Sequence, residues 1–410
     1  MQEGLIPEEG TFYAQLDSKF TTQDYRPYFR CVRLIGVLEE SFTDNAFNKP
    51  KGCPTFVIDL AWNGFSKLRN RRFKRLISEL NWLEGAFAED SLIWVKIKFF
   101  RSLRVTEDYV YEAFTTSVPE YLQVTAINLV EGPNVDAPEA APDVQPSAAD
   151  RLVNDVTLTG FHVGQGMSSL LSSPSHNHGY LLDAGGGTPV LRESYRTGQH
   201  FGGVFKNDLA LAIKHLQRVT VVLSHSDCDH WRILDWDLQL LAKVDRIFLP
   251  IGRPALVFNS HRVKIKTKGL DDAKFWLGNV ELDVLRSEPR RNDETGHCLI
   301  VHAKQDKRSA LLPGDYVYSR ILQDKRSDGA IVALGNLKFD AIVVPHHGDE
   351  ASAMKVFSPR VDDQSIAFFS AGDHEGYGHP TLLSIDAHFL KKFAVVDLLS
   401  PNIVACTLLA

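Results

Sequence analysis

The sequence predicts an α/β (α+β) protein in two parts, a small β-rich domain followed by a larger domain of layered sheets and helices. Three observations predict this arrangement. Many short apolar runs follow residue 150 and end in polar or glycine-rich residues, as buried strands do. A proline-rich stretch occupies 131–150. All fifteen histidines lie after that stretch, so histidine-dependent chemistry belongs to the C-terminal part.

Composition and charge exclude several classes of protein. With 44% hydrophobic and 23% charged positions among 410 residues, the chain is globular rather than mostly disordered. Its net charge of −6 means that attraction to nucleic acid requires a local basic patch. Five cysteines without a CxxC pair predict a reducing compartment, and we expect a cytoplasmic protein. The chain has neither a secretory signal nor an apolar run of about 18 residues, so no membrane association is expected.

The N-terminal part, residues 1–130, is predicted to be a small β-barrel or α+β module. The apolar segments YFRCVRLIGVLEESF, PTFVIDLAW and SLIWVKIKFF have strand character, as do the regions around YVYEAFTT and YLQVTAINLV. A helical pattern from about Ser66 to Phe87 separates the second and third of these segments. An oligonucleotide-binding barrel would suit this order of elements.

A dense run of basic residues lies on the predicted helix. Its members are Lys67, Arg69, Arg71, Arg72, Lys74 and Arg75. Such a run is most often a solvated helix face. The alternative is a contact surface for nucleic acid, which Lys96, Lys98, Arg101 and Arg104 on the next strand would enlarge. The N-terminal part is therefore expected to be an accessory domain that binds nucleic acid or a protein partner.

The stretch 131–150, EGPNVDAPEAAPDVQPSAAD, is predicted to be a linker. It combines four prolines with small and acidic residues and lacks an apolar period. A segment of this composition cannot offset its ordering entropy by burying apolar surface. The predicted domains are therefore 1–130 and 151–410.

The C-terminal part contains nine apolar runs that we expect to be strands. They are VTLTGFHV, GYLLDAG, RVTVVLS, RIFLP, VELDVL, CLIVHA, SALLPGD, FDAIVVP and SIAFFSAG. Between them, Leu209, Ala212, Ile213 and Leu216 share one face of a predicted helix, with Asp208 as its N-cap.

One strand end carries a dense group of potential metal ligands. The run RVTVVLS is followed at once by His225, Asp227, Asp229 and His230. If these side chains were buried without a cation, the two carboxylates could not both remain ionised. A mixture of imidazole and carboxylate suits zinc, manganese or iron. The sequence therefore predicts a metal centre, the alternative being an exposed acidic loop with two surface histidines.

Polar residues also end the runs SALLPG, FDAIVVP and SIAFFSAG. Strands placed side by side would bring these ends to one edge of the layered core. Two divalent ions at that edge, about 4 Å apart, could activate water and stabilise both oxygens of a displacement at phosphorus.

The motifs resemble those of a known family. SHSDCDH resembles the HxHxDH signature of the metallo-β-lactamase fold, in the HxDxDH variant of the hydrolase domain of ComEC-type DNA-uptake proteins. FHVGQGMSSLL with GYLLDAGGG, then LLPGDY, VPHHGD and SAGDHEGYGHP, resemble further elements of that family in the same order. The resemblance covers residues 155–410 and implies an αββα sandwich.

The resemblance implies roles for individual residues. His225 and Asp227 would serve one metal position, and Asp229 and His230 the other. Asp315 would bridge both ions. One residue of the pair His346 and His347 would complete the second position, and we favour His346.

Three further residues are expected near the metal centre, one of them with two alternative roles. The resemblance places Asp183 behind the metal loop, where it would orient a ligand. His379 would contact phosphate or donate a proton. His297 is either an additional ligand, or a residue of the core or one that supports a ligand from behind, and this choice leaves open whether two ions bind or a single one.

The predicted function is metal-dependent hydrolysis of phosphodiester bonds in DNA or RNA. Two divalent ions, zinc or manganese, or only one ion, would act with Asp229, Asp315 and His379 as the catalytic groups. Since a fold does not fix a substrate, two alternatives stay open. One is a small-molecule metallohydrolase acting on a cyclic nucleotide, ester or lactone. The other is a catalytically silent binding module.

Overall fold

A computed structural model describes residues 5–26, 29–61, 93–142, 152–200, 202–289, 296–372 and 378–410. The predicted helix from Ser66 to Phe87, with its basic run from Lys67 to Arg75, lies outside the described residues. The chain divides into two compact units. Unit 1 comprises Met1–Ala137 and Pro254–Ile265, and unit 2 comprises Pro138–Arg253 and Lys266–Ala410.

Unit 1 is built on a closed barrel. Its strands are β1 (Glu9–Thr22), β2 (Arg30–Leu38), β3 (Phe56–Ala61), β4 (Trp94–Ser102), β5 (Asp108–Glu112) and β6 (Glu120–Val130). They close in the order β1-β2-β3-β5-β6-β4, and every pair is antiparallel. Along β4 the buried Val95, Ile97 and Phe99 point into the barrel core. The prediction of a β-rich N-terminal barrel is confirmed.

A segment from far along the chain also belongs to unit 1. Within Pro254–Ile265, four apolar side chains are buried, namely Leu256, Val257, Phe258 and Val263. The backbone N–H of Cys53 donates to the Asn259 carbonyl at 3.0 Å. The ammonium of Lys264 donates to the Phe47 carbonyl at 2.6 Å. Nothing in the sequence pattern indicated this exchange between units.

Unit 2 contains two large sheets. Its strands are β7 (Thr157–His162), β8 (Ser168–Ser172), β9 (His178–Ala184), β10 (Gln199–His200), β11 (Gly203–Val204), β12 (Arg218–Val222), β13 (Val244–Pro250), β14 (Thr267–Leu270), β15 (Ala273–Leu277), β16 (Val280–Arg286), β17 (Leu299–Gln305), β18 (Arg308–Leu312), β19 (Lys338–Phe339), β20 (Ala341–Val343), β21 (Ser358–Pro359), β22 (Ile366–Phe369), β23 (Ala394–Asp397) and β24 (Val404–Leu409). All nine predicted runs form strands. Within the described residues, one seven-stranded sheet has the order β14-β13-β12-β9-β8-β7-β24 and the other β15-β16-β17-β18-β20-β22-β23.

Short helices connect and cover these strands. They are α1 (Glu39–Thr43) in unit 1, α2 (Arg192–Thr197), α3 (Asp208–Ile213), α4 (Cys228–Trp236), α5 (Leu238–Lys243), α6 (His261–Lys264) in unit 1, α7 (Tyr318–Ile321), α8 (Ala330–Ala333) and α9 (Leu382–Leu390). The prediction that Asp208 caps α3 is wrong. Asn207 is the N-cap, since its Oδ1 accepts the N–H of Ala210 at 2.9 Å. The Asp208 carboxylate instead accepts the N–H of Ala405 at 3.0 Å.

The two sheets pack face to face with helices outside. Leu182 and Val222 of the first sheet meet Val301 and Leu312 of the second in one apolar core. Helices α4 and α5 pack against the outer face of the first sheet. Residues of α7 and α8 pack against the outer face of the second. This arrangement is the predicted αββα sandwich.

Strand direction determines where the polar strand ends lie. In the first sheet β12 runs parallel to β9 and β13, and in the second β18, β20 and β22 are mutually parallel. The carboxyl ends of parallel neighbours lie at one edge of a sheet, where ligand sites of α/β proteins are commonly found. Among the described residues, no helix is both long enough and apolar enough to cross a membrane.

Candidate metal centre

The carboxyl ends of four strands carry the predicted site. His225 follows β12, Asp315 follows β18, His347 follows β20, and Ser370 follows β22. The residues that continue the chain after β12 turn directly into α4, so Asp229 and His230 lie in the first turn of that helix.

Glycines allow a hairpin to approach the start of α4 closely. A Cβ atom on Gly185 would lie 1.7 Å from the carbonyl oxygen of Asp229. The same carbonyl accepts the N–H of Met167 at 3.2 Å. The GQGM and AGGG segments thereby fix the backbone that presents Asp229 and His230.

One group of donor atoms consists of His225, His230 and Asp315. The Nε2 atom of His225 lies 3.5 Å from Asp315 Oδ2, and that of His230 lies 3.2 Å from Asp315 Oδ1. Asp227 adds an oxygen 3.2 Å from His225 Nε2, although 59% of its side chain is exposed. The structure thus brings the predicted pair His225 and Asp227 together, with His225 also next to Asp315.

A second group consists of Asp229, His230 and His347. Asp229 Oδ2 lies 3.1 Å from His347 Nε2, and Asp229 Oδ1 lies 3.9 Å from His230 Nε2. Asp315 Oδ1 is 3.9 Å from His347 Nε2. Asp315 therefore contacts members of both groups, as expected of a bridging carboxylate.

The opposite ring nitrogens of these histidines are held by hydrogen bonds. His347 Nδ1 donates to the Ser370 carbonyl at 2.8 Å, and His230 Nδ1 lies 3.0 Å from Asp183 Oδ2. His225 Nδ1 lies 3.0 Å from Ser224 Oγ. Partners of this kind orient metal-ligating histidines in proteins and direct the Nε2 lone pair to the ion. Asp183 lies where the resemblance placed it.

The residues fit a metal ion by the chemistry of their buried atoms. Within the two donor groups, four buried atoms have no hydrogen-bond partner among the described residues: Nε2 of His225, His230 and His347, and Oδ1 of Asp315. Leaving buried polar atoms unsatisfied is costly, and these four face one another. A divalent cation is a partner that imidazole nitrogens and carboxylate oxygens satisfy together.

The histidines and aspartates of the two donor groups shift one another's pKa values. Burial alone would lower the pKa of His230, but Asp315, Asp183 and Asp229 raise it well above its usual range. Burial would raise the pKa of Asp315, whereas His230, His346 and His225 hold it well below its usual range. The carboxylates thus stay ionised because protonated imidazoles offset their charge, and a divalent ion would take over this role by displacing those protons.

The two histidines of VPHHGD occupy different environments. His347 is 1% exposed, whereas His346 is 44% exposed and its Nε2 lies 3.8 Å from Asp315 Oδ2. His346 Nδ1 contacts Asp349 Oδ2 at 3.0 Å. Both residues have positive φ angles, 48° and 54°, which are uncommon outside glycine. The geometry favours His347, rather than the expected His346, for the second donor group.

His379 and His297 are the remaining predicted site residues. The ring of His379 lies 5.7 Å from that of His346, and burial with the charges of His347 and His346 lowers its pKa to about 4. His379 therefore faces the site as a neutral imidazole at pH 7. His297 is half-buried and belongs to neither donor group found among the described residues.

Of the expected basic surface, the structure describes Lys96, Lys98 and Arg101 on β4 and Arg104, which lies just beyond the end of that strand. Lys96 forms an ion pair with Glu39 at 2.7 Å, and Arg101 lies 3.9 Å from Glu120. Lys98 and Arg104 are exposed. Lys96 and Arg101 are thus partly neutralised.

Sequence reasoning missed three groups that support the site. Asp349 and the carbonyl of Ser370 hold His346 and His347, and Ser224 contacts two histidines. Asp349 lies within the VPHHGD motif, and Ser224 directly precedes the run of ligands that starts at His225. Their closeness in sequence to predicted ligands could have identified both residues.

Comparison with known proteins agrees with the motifs. No family model matches the chain. The chain is 25% identical over 263 residues to competence protein ComA of Neisseria gonorrhoeae, a match that covers 63% of this chain and 32% of ComA. This similarity confirms the resemblance to ComEC-type proteins, and the chain spans about a third of the length of this curated relative.

Solved structures with similar parts include two proteins. A mutant of CmlA, a diiron β-hydroxylase of Streptomyces venezuelae, has 12% identity and a TM-score of 0.38, covering 62% of this chain and 54% of that one. The metallo-β-lactamase fold protein YhfI of Bacillus subtilis has 12% identity and a TM-score of 0.34, covering 61% and 100%. These scores are low, so the fold assignment rests on the strand order and layers described above.

Proposed function

We propose that the protein is a metal-dependent phosphodiesterase that cleaves DNA or RNA. The observation that carries the proposal is a pair of overlapping donor groups that share His230, with Asp315 in the first group and 3.9 Å from His347 of the second. Two adjoining groups of imidazole and carboxylate donors suit a pair of divalent ions. Zinc and manganese both accept this mixture of ligands.

The residues divide into two ligand sets. His225, Asp227 and Asp315 would hold one ion, and Asp229, His230, His347 and Asp315 the other. When bound, a pair of divalent ions activates water and offsets the charge that develops on a phosphodiester. Asp229 and Asp315 contribute by fixing that pair.

Two histidines remain to contact the substrate. His346 is the more exposed of the neighbouring pair, and its ring lies 5.7 Å from that of His379. Imidazole N–H groups in these positions would donate hydrogen bonds to phosphate oxygens and so orient the substrate for attack. Their removal is expected to impair turnover more than metal binding.

The choice of nucleic acid draws on the resemblance to hydrolase domains of DNA-uptake proteins and on the basic residues of the N-terminal part. Exposed Lys98 and Arg104 of unit 1 provide positive charge of the kind that attracts phosphate backbones. In this proposal residues 1–130 act as an accessory domain for nucleic acid or a protein partner. All five cysteines are free, which favours a cytoplasmic location.

Activity assays with defined substrates test the proposal. The metal-free protein is reconstituted with Mn²⁺ or Zn²⁺ and given plasmid, single-stranded DNA, RNA or bis-p-nitrophenyl phosphate. We expect metal-dependent cleavage of a nucleic acid, and its loss in Asp315→Asn. Asp362→Asn is the matched control, because Asp362 is an exposed carboxylate outside both donor groups.

The substrate pattern separates this proposal from its alternatives. Turnover of bis-p-nitrophenyl phosphate without cleavage of any nucleic acid would favour a small-molecule hydrolase. Absence of all turnover in a metal-loaded protein would favour a silent binding module. Cleavage that survives in Asp315→Asn would contradict the assignment of the site.

A further inference from the structure

The hydroxyl of Ser224 lies between two of the histidines that face the centre. Its Oγ atom is 3.0 Å from Nδ1 of His225 and 3.0 Å from Nδ1 of His230. The serine is buried, with 5% of its surface exposed. Its backbone N–H donates to Asp183 Oδ1 at 2.6 Å, and Asp183 Oδ2 lies 3.0 Å from His230 Nδ1. Ser224 and Asp183 therefore contact the rear of the two imidazoles as one unit.

The direction of each hydrogen bond follows from the side of the ring that faces the ligands. His225 and His230 both direct Nε2 toward Asp315, at 3.5 and 3.2 Å. A neutral imidazole that offers Nε2 as an acceptor carries its proton on Nδ1. The Nδ1–H of His230 has the Asp183 carboxylate as an acceptor. The Nδ1–H of His225 is left with Ser224 Oγ, the hydrogen-bond partner found for it among the described residues.

The close approach of the neighbouring loop to Ser224 requires a glycine at position 314. Gly314 has a φ angle of 57°, and a Cβ atom on it would lie 2.4 Å from Ser224 Cβ and 2.6 Å from Ser224 Oγ. Gly314 directly precedes Asp315, and its carbonyl accepts the N–H of His346 at 3.1 Å. The loop that carries Asp315 thus lies directly against Ser224, and the backbone of His346 is hydrogen-bonded to that loop.

We propose that Ser224 is a positioning residue for the metal centre, because its hydroxyl oxygen accepts a hydrogen bond from Nδ1–H of His225 and thereby presents Nε2 of that ring as a metal ligand. The inference rests on the metal centre of the proposed function. Without the hydroxyl, the buried Nδ1–H of His225 loses its acceptor. The tautomer with the proton on Nε2, which cannot bind a metal, becomes comparatively favourable.

Metal titration of the full-length, metal-free protein tests the role of the hydroxyl. Mn²⁺ affinity is measured by the electron paramagnetic resonance signal of the free ion. We expect Ser224→Ala to weaken Mn²⁺ binding by about 10- to 100-fold, as loss of a group that orients a ligating histidine commonly does. Ser224→Thr, which keeps a hydroxyl, is expected to bind within a few-fold of the parent.

Two further variants separate positioning from packing. Ser226→Ala is the matched control, since Ser226 lies on the other side of His225 and is outside both donor groups. We expect it to bind Mn²⁺ as the parent does. Ser224→Cys retains a side chain of similar size but offers only a weak acceptor, so it should weaken binding even if the alanine variant fails to fold. Circular dichroism of each metal-free variant reports the folded fraction.

The outcomes distinguish this inference from the proposed function. Parent-like Mn²⁺ affinity in both Ser224→Ala and Ser224→Cys would overturn the role of Ser224. Equal weakening in Ser226→Ala would also overturn it. A parent protein that binds neither Mn²⁺ nor Zn²⁺ would overturn the metal centre and this inference together. A parent that binds metal but cleaves no phosphodiester would overturn only the proposed activity.

Discussion

His346 and His347 adjoin in the chain, yet their side chains meet different partners. The buried His347 is tied through Nδ1 to the Ser370 carbonyl, and the half-exposed His346 to Asp349. We expect His347→Asn to lower the bound metal by about one ion per chain, because it removes a donor from one of two groups. Inductively coupled plasma mass spectrometry of the dialysed protein measures the ratio.

The neighbouring variant provides the control for this prediction. His346→Asn should retain the parental metal content while losing turnover, because the ring lies at the exposed side of the centre. Loss of metal from His346→Asn with full retention in His347→Asn would reverse the assignment.

Sequence reasoning at the residue scale identified the donors but not their orientation. The spacing of His225, Asp229 and His230 after an apolar strand marked them as ligand types. The sequence could not show which of His346 and His347 faces the metal centre. Both residues have positive φ angles, so their side chains do not alternate as those of a strand do. The acceptors behind them come from other strand ends, and such pairings depend on the folded chain.

At the scale of elements, helix α4 presents Asp229 and His230, and a buried ion pair holds its far end. Arg192 of α2 contacts Asp235 of α4, and both side chains are almost fully buried. We expect Asp235→Ala to lower the free energy of unfolding by about 3 kcal/mol, since it leaves a buried guanidinium without its carboxylate. Urea unfolding followed by circular dichroism measures this change.

Asp237→Ala is a useful comparison for that experiment. Asp237 follows α4 and caps α5 by accepting the N–H groups of Gln239 and Leu240 at 2.9 and 2.8 Å. Loss of such a cap costs about 1 kcal/mol. If Asp235→Ala proved no more destabilising than Asp237→Ala, the ion pair would not anchor α4.

Helix α9 turns a histidine inward, which makes the stability of unit 2 depend on pH. His388 Nδ1 donates to the Ser384 carbonyl at 2.7 Å, and its Nε2 lies 2.8 Å from the Tyr318 hydroxyl. Burial lowers the pKa of His388 from 6.5 to about 4. Below pH 6.5 the unfolded chain takes up this proton more readily than the folded chain. The contribution of His388 to the free energy of unfolding is therefore fully present above about pH 6.5. As the pH falls from 6.5 to 4, this contribution decreases by roughly 3 kcal/mol.

Urea unfolding of the metal-free protein at several pH values tests this dependence. The slope of the unfolding free energy between pH 6.5 and 4.5 should be smaller in His388→Gln than in the parent. His261→Gln serves as the control because His261 is exposed. An unchanged slope in His388→Gln would show that His388 does not cause the loss.

Strands were more predictable than helices for a physical reason. Strands buried on both faces leave continuous apolar runs that stand out in a sequence, and all nine runs predicted for unit 2 are strands. The other strands described in unit 2, several of them only two residues long, were not among the predicted runs. Most helices of unit 2 are short, and their positions depend on packing against the sheets. The misplaced cap at Asp208 illustrates this, because its carboxylate accepts the N–H of Ala405, far along the chain.

At the scale of the whole molecule, the insertion Pro254–Ile265 makes the barrel of unit 1 depend on two separated parts of the chain. Removing residues 1–130 would leave the buried side chains of Leu256, Val257 and Phe258 without most of their surroundings. We expect the truncated chain to associate in solution, because exposed apolar patches promote association. Size-exclusion chromatography with light scattering measures its mass.

A second truncation controls for other effects of removing the barrel. The same chain with 254–265 replaced by a glycine–serine linker should be monomeric. If both truncated chains had the mass of a monomer, the insertion would not need the barrel to cover it.

Composition predicted a linker over 131–150, since proline-rich segments leave a visible signal, and the division between the units, after Ala137, falls within that stretch. Part of the stretch nevertheless belongs to unit 2, where Glu139 and Ala141 form backbone hydrogen bonds with Gly269. It could not predict that 254–265 joins the earlier unit, because an apolar segment does not specify which surface buries it. The closed barrel likewise followed only in outline from strand patterns. The pairing of β4 with both β1 and β6 is a non-local feature of the fold.

Side chains from separate strand ends are expected to bind divalent ions around Asp315. Anomalous diffraction from crystals soaked in Mn²⁺ tests this most directly. We predict anomalous peaks beside Asp315, one near His225 and one near His347. Crystals that contain Mn²⁺ elsewhere but show no peak beside Asp315 would contradict a metal centre at this position.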